Sequence, residues 1–307
     1  MSAAASDYCH AVANPFEAKL CGIPTFPALP TYKARVFVRG TASTSTTTGV
    51  GFVSCNPYAA MSNDSNVVFY TDSSFPGTAF SNVATGVLGA TANSPYPGTS
   101  INVNAVTGRV VGAGLRVRYG GTELNRGGFK ICLVDPQHVT LNGRDQASIS
   151  LEPQTKQYAV DRKWTNLYYR PVTTQETSFN PNVIADGGYM GAMLVAPDPS
   201  VVLLYQWEFF AIIEYQGSTA IGQSHTNVDP TGFAAASSVI NQMNAISRAP
   251  AHQTAGELVK ATNHYIAHGL SGVNDVVQGV KSLTNTASTA WNIFEDVLEI
   301  GAPLMSL

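Results

Sequence analysis

The chain has 307 residues, 44% hydrophobic and 12% charged, with 27 glycines and 17 prolines. It can therefore bury a large core, and its composition fits short strands joined by turns rather than a Lys- and Glu-rich helical bundle. A formal net charge of −3 excludes a global attraction for phosphate or anionic lipid, so any nucleic-acid contact must be local.

The start, Met1-Ser2-Ala3, has no basic stretch ahead of an apolar core and does not read as a secretory signal. Residues 1–31 are small and punctuated by Pro15, Pro24, Pro27 and Pro30, which predicts an extended arm. From Tyr32 the pattern alternates, with Tyr32, Ala34, Val36 and Val38 on one face and Lys33, Arg35, Phe37 and Arg39 on the other. That is a half-buried strand with a basic second face. Thr47 to Cys55 reads as its partner, Asn56-Pro57 breaks it, and Val67 to Tyr70 fits either strand or loop. The stretch from Ser73 to Asn104 is rich in Gly, Pro, Ser and Asn and predicts a long surface connection.

Arg109 to Tyr119 and Gly128 to Val134 look like an adjacent strand pair, the first with Leu115, Val117 and Tyr119 opposite Arg116 and Arg118. Another strand is expected near Lys156 to Val160, residues 161–187 are loop-like, and Tyr189 to Val195 begins the final pair. The strongest signal is Val202 to Tyr215, where Leu203, Tyr205, Trp207, Phe209, Ala211, Ile213 and Tyr215 form one apolar face, as a central core strand requires. About eight strands with long connections predict a mainly β fold, an eight-stranded antiparallel jelly-roll sandwich over residues 32–228.

After Pro230 the period becomes helical, first in Phe233 to Ile246 and then from Gly256 onward, so residues 229–307 form the expected helical C-terminal region. Val259, Ile266, Val273 and Val280 recur every seven residues beside Val276 and Leu283, which makes one amphipathic stripe. Trp291, Phe294, Val297 and Leu298 make a second short amphipathic segment. No apolar run approaches the ~20 residues of a membrane span.

Three segments carry a resemblance to known proteins. These are Cys9-His10-Ala11-Val12-Ala13-Asn14-Pro15-Phe16 with Gly22-Ile23-Pro24, the pair Gly114 to Tyr119 and Gly128 to Cys132, and Ile212-Ile213-Glu214-Tyr215 leading into helical sequence. In this order they resemble the coat proteins of nodaviruses and of the related tombus-like insect, fungal and plant viruses. The resemblance implies a jelly-roll subunit of an icosahedral shell around single-stranded RNA, assembled in the host cytoplasm and found in the virion. It also implies self-cleavage at an Asn-Ala bond near the C-terminus, but Thr254 stands where the Asn belongs, Pro15 where the acid belongs, and Asn244-Ala245 falls ten residues early.

Many relatives neutralise RNA with an arginine-rich arm, yet residues 1–32 hold one cation, Lys19. RNA would have to be met by the folded domain, with Lys33, Arg35, Arg39, Arg162 and Lys163 as candidates and solvated or subunit-bridging charges as the plainer reading. Between Arg170 and Arg248 there is no Lys or Arg. Asp135, Asp161 and Asp186 are loop carboxylates of the kind that hold calcium between subunits in related shells, although turn formation alone explains such residues. His264 and His268, four apart, share one helical face without a third ligand, which suits a pH-sensitive tail better than a metal site.

The four cysteines, Cys9, Cys21, Cys55 and Cys132, form no CxxC pair and predict buried, reduced thiols. No nucleophile elbow, HExxH or P-loop motif is present in the sequence, and nothing in it supports an enzyme. The expected partners are further copies of the chain, genomic single-stranded RNA and, during entry, a host membrane met by the tail. The acidic polar face of residues 256–307 favours packing inside a shell over membrane insertion. A secreted β-sandwich lectin or adhesin is the rival reading, and a jelly-roll glycosidase, with two carboxylates converging in one groove, is a third.

Overall fold

A computed structural model describes residues 2–25, 30–61, 66–81, 88–91, 106–134, 140–171, 173–179, 189–217 and 224–247. The strands among them are β1 (Tyr32–Ser43), β2 (Val50–Cys55), β3 (Val68–Thr71), β4 (Leu88–Thr91), β5 (Thr107–Tyr119), β6 (Phe129–Val134), β7 (Lys156–Ala159), β8 (Thr165–Tyr168), β9 (Met190–Val195), β10 (Leu204–Gln216) and β11 (Ile246–Ser247). The helices are α1 (Ala3–Ala13), α2 (Gln146–Ser150), α3 (Thr174–Thr177) and α4 (Pro230–Gln242), with 3-10 turns at Pro57–Met61 and Glu123–Asn125. The fold is mainly β. One sheet has the order β1-β10-β5-β8-β11, the other β4-β3-β2-β9-β6-β7, and their neighbouring strands pair antiparallel.

Alternation in β10 decides where the core lies. Tyr205, Trp207, Phe209, Ala211, Ile213 and Tyr215 are buried and meet Leu115, Val117 and Tyr119 of β5 and Cys132, Met190, Ala192 and Leu194 of the opposite sheet. The strand sits between β1 and β5, paired along its whole length on both sides, so it occupies the central position its apolar run requires. The outer face of the second sheet is covered as well: Phe75, Phe80, Leu141 and Ile149 pack over Phe52, Phe69, Ile131 and Met193.

Several expectations are corrected. Residues 3–13 form a helix rather than an extended arm, because the first proline comes only at Pro15 and Ser2 caps the Ala-rich start by accepting from the Ala5 amide. β5 and β6 lie in different sheets, and the residues between them, 120–128, carry the chain across the sandwich. The region 161–187 contains β8 and α3. In α3 the Thr173 and Glu176 side chains form a capping box, and the buried Glu176 accepts from Tyr58 Oη at 3.0 Å. The connection after Ser73 holds β4, which pairs with β3. The helix begun near Phe233 ends at Gln242, and Ile246 joins β11 at the edge of the first sheet. The four cysteines are buried thiols that form no disulfide with one another. The tail stripe from Val259 to Leu283, His264, His268 and the carboxylates Asp135 and Asp186 lie outside the described residues.

Candidate functional site: the outer face of the five-stranded sheet

The outward residues of the first sheet fall into rows that the strand register fixes. From one end they are Lys33, Glu214 and Arg109, then Arg35 and Ile212, then Phe37, Phe210, Gly114 and Tyr168, then Arg39, Glu208, Arg116 and Asn166, and last Thr41, Gln206 and Arg118. The first strand and β5 contribute cations and β10 contributes the carboxylates between them, so opposite charges are direct cross-strand neighbours.

The half of this face near Glu214 is sealed. Tyr8, Cys9, Ala11 and Val12 of α1, with Ala18, Cys21 and Ile23 after it, pack with Ala236, Val239 and Ile240 of α4 onto Val111, Phe210 and Ile212. A Cβ on Gly112 would strike the Ala11 carbonyl, so only glycine lets the helix approach this closely. The backbone amide of Ser2 donates to Asp229 Oδ2 at 2.7 Å while Asp229 Oδ1 caps α4 through the Gly232 amide at 2.8 Å. Beneath the helices lies a buried polar hub. Glu214, 1% exposed, takes Arg109 Nε at 2.8 Å and Nη2 at 2.7 Å. It also accepts from the Ile23 amide at 3.1 Å and Thr31 Oγ1 at 2.7 Å. Arg109 spends its remaining donors on Thr25 Oγ1, the Thr177 carbonyl and the Ile23 carbonyl. A charge this deeply buried is stable only with such complete pairing. Arg170 locks the rim by donating to the carbonyls of Val12 and Asn244 at 2.8 and 3.1 Å, and loss of hydration lowers its pKa to about 10.

The other half is open. Phe37 is 46% exposed, Arg39 and Thr41 are exposed, and Arg116, Arg118, Trp164, Gln206 and Glu208 are half-buried. Arg116 pairs with Glu208 through Nε at 2.7 Å and Nη2 at 2.5 Å, whereas Arg118 donates to the neutral Gln206 Oε1 at 2.9 Å. Both guanidiniums lie over the Trp164 ring, at 4.7 and 4.4 Å from its centroid. Phe16 stands over Arg116 at 4.6 Å and marks the border with the sealed half. Arg39, Arg116 and Arg118 against Glu208 leave the open half positive in a chain whose net charge is negative.

The five cations singled out in the sequence are therefore separated by the structure. Lys33 donates to Ser224 O and Oγ at 3.0 and 2.8 Å and stands 4.0 Å from Glu214; loss of hydration lowers its pKa against the pull of Glu214. Arg35 holds the Ala18 carbonyl at 3.0 Å. Lys33 is thus occupied by the segment after β10 and Arg35 by the N-terminal segment. Arg39 alone of the three on β1 projects into the open half. Arg162 pairs with Glu123 at 2.8 Å and with the Gly121 carbonyl at 3.1 Å, while Lys163, next to Trp164, is exposed. Asp161 serves the buried Lys130 at 3.3 Å. Among the described residues no group of three or more His, Cys, Asp and Glu could hold a metal ion.

Sequence reasoning missed Arg116, Arg118, Trp164 and Phe37 as one surface. The signal was present in the two-residue alternation, which put Arg116 and Arg118 opposite an apolar face, but which strand lies beside β5 is not written in either strand alone. Also missed was Leu124, 95% exposed, on a turn held by Glu123–Arg126 and Glu123–Arg162 ion pairs at 3.0 and 2.8 Å.

No family model matches the sequence, and no curated protein matches it. Solved structures with a similar chain path include a chain of the T13 infectious bursal disease virus particle, with TM-score 0.47, 6% identity and coverage of 83% of this chain and 96% of that one. A T=1 particle derived from infectious bursal virus gives TM-score 0.49 at 7% identity, covering 87% and 98%. The decameric BFDV capsid protein gives 0.32 at 14%, covering 61% and 99%. Likenesses of this extent identify neither a family nor a function.

Proposed function

We propose that the chain is the coat subunit of a small RNA virus, a structural protein that assembles with copies of itself into an icosahedral shell around single-stranded RNA. The observation that carries the reading is the strand order. Setting aside the β3–β4 hairpin and the short β11, the eight remaining strands are ordered β1-β10-β5-β8 and β2-β9-β6-β7, an order that supports a jelly-roll reading, the architecture used by viral shells and by lectins. The segments that resemble nodavirus and tombus-like coats fall on α1 and the residues after it, on β5 and β6, and on β10, and so support the shell over the lectin. The positive open face supports contact with RNA from the folded domain in a chain whose first 32 residues hold one cation. In this reading the amphipathic tail, with Val259, Ile266, Val273, Val276, Val280 and Leu283, lies on the inner side, and the protein belongs to the virion after assembly in the host cytoplasm.

The test is expression of the full chain alone, with negative-stain microscopy and absorbance at 260 and 280 nm on one fraction. Uniform round particles containing nucleic acid are expected. Stable monomers that bind immobilised glycans and never assemble, at any ionic strength or with added RNA, sink the shell reading in favour of the lectin.

A further inference from the structure

Within the shell reading, on which this inference rests, we infer that the open half of the first sheet is a binding track for single-stranded RNA, with Phe37 as a stacking platform and Arg39 and Arg118 as phosphate contacts. Sequence-independent binding of single strands needs two things in one groove: cations that follow the backbone, and aromatic faces that accept any base. Both are present here on adjacent rows. Arg118 donates to a neutral amide and lies over the Trp164 ring rather than pairing with a carboxylate, and Arg39 is exposed on the edge strand. The intervening Glu208 is consumed by Arg116, which leaves Arg39 and Arg118 as the charges available to a ligand. With strands spaced about 4.8 Å apart, β1 and β5 stand roughly 10 Å apart on either side of β10, a span that a short oligonucleotide crosses.

Phe37 is the largest exposed ring on the sheet, and it lies between Arg35 and Arg39 along one strand. Its cross-strand neighbour Phe210 is buried under the helices, so the outer face of the Phe37 ring is left for a base to stack on. Arg116 and Arg118, both laid over Trp164 at the other side of the track, are already held in place by these contacts, which lowers the ordering cost when a strand binds. The ligand chemistry is a flexible polyanion bearing flat bases. An acidic protein segment would satisfy the arginines but would leave Phe37 without a partner.

The experiment uses the full chain held below its assembly concentration and a fluorescein-labelled oligouridine, titrated at several salt concentrations. Each phosphate contact in a single strand contributes about −0.7 to the slope of log K against log salt. The double variant Arg39→Gln/Arg118→Gln is expected to flatten that slope by about 1.4. Phe37→Ala is expected to weaken binding by roughly 5- to 150-fold, the range for one stacked base, with the slope unchanged. Thermal unfolding separates a lost contact from a lost fold: Phe37→Ala and Arg39→Gln alone are expected to match the parent because both residues are exposed, and Arg39→Gln alone is expected to flatten the slope by about 0.7 without the half-buried Arg118 being touched. Wild-type affinity and slope in the double variant overturn the proposal, as does polyglutamate binding as tightly as oligouridine. Particle formation is scored separately by microscopy: a parent chain that binds oligouridine through these residues yet never assembles refutes the shell and leaves the track standing.

Discussion

Replacing Arg109 with leucine removes the cation from the hub beneath α1 and leaves Glu214 buried, with Lys33 at 4.0 Å as its nearest positive charge. Two charge-assisted bonds, at 2.8 and 2.7 Å, are lost at about 1.5–3 kcal/mol each. Breaking a buried pair from one side costs about 3–5 kcal/mol. The two figures overlap, and the leucine side chain recovers part of the packing that Arg109 makes over the Phe179 ring. A net loss of about 3–5 kcal/mol is therefore expected. Guanidinium unfolding at low protein concentration, followed by the fluorescence of the buried Trp207, measures it. The companion Arg109→Leu/Glu214→Leu variant is expected to be less destabilised than the sum of its single changes by about 1–3 kcal/mol, because the two members of the tightest buried pair leave together. A single-variant loss below about 1 kcal/mol, or additive singles, would show that the hub is not what holds Ile23 and Thr31 to β10.

Other tests address the neighbouring elements. Gly112→Ala drives a methyl into the Ala11 carbonyl and is expected to cost about 1–3 kcal/mol and to expose residues 2–13 to limited proteolysis; an uncleaved, equally stable variant argues that α1 docks by other contacts. Burial of Asp229 works to raise its pKa, but hydrogen bonds from the Ser2 and Gly232 amides outweigh it and hold the carboxyl below its usual value. Its contribution to stability is therefore full above the unfolded pKa of about 3.9 and is lost as pH falls through the folded one. Asp229→Asn is expected to remove that part of the acid dependence in a pH series of unfolding curves. Leu124→Ser removes a side chain that touches almost nothing within the subunit, so monomer stability should change by less than about 0.5 kcal/mol while particle yield falls, because an exposed anchor on a braced turn suits a contact between copies; unchanged yield by sedimentation assigns the turn no role in assembly. Burial raises the Cys9 and Cys21 pKa values to about 11 and 12, so both thiols should resist a thiol reagent at pH 8 and react only on unfolding.

Much of this architecture is legible in the residues. The period-2 runs in β1, β5 and β10 located their strands and their faces, because a half-buried strand must alternate, and the central place of β10 followed from its unbroken apolar face. What failed is what alternation does not encode. β5 and β6 are both good strands separated by nine residues, and nothing in either states whether the connection turns back within one sheet or crosses to the other. β8, at four residues, is too short to show a period, although Thr173-Thr174-Gln175-Glu176 carries a capping-box signature that placed α3 within reach. The candidate site was legible as residue types and not as a set: five cations were named, and the fold tied Lys33 to Ser224 and Arg35 to the Ala18 carbonyl, left Arg39 unengaged on the open half, and brought Arg118 and Trp164 to that half from distant parts of the chain.

The pairing of β1 with β10 sets the order in which the molecule can be made. Lys33 has its strand partner at Glu214, and the Ser2 amide has its acceptor at Asp229. At synthesis rates of about 5–20 residues per second, the first strand and the helix before it wait on the order of 10–40 s for the residues that cover them. During that interval Tyr8, Val12 and the apolar side of β1 lack the partners that β10 and α4 supply. A nascent chain is thus unable to complete its charged face until nearly all of the described chain has emerged, so the timing of translation itself keeps a half-made molecule from offering that surface.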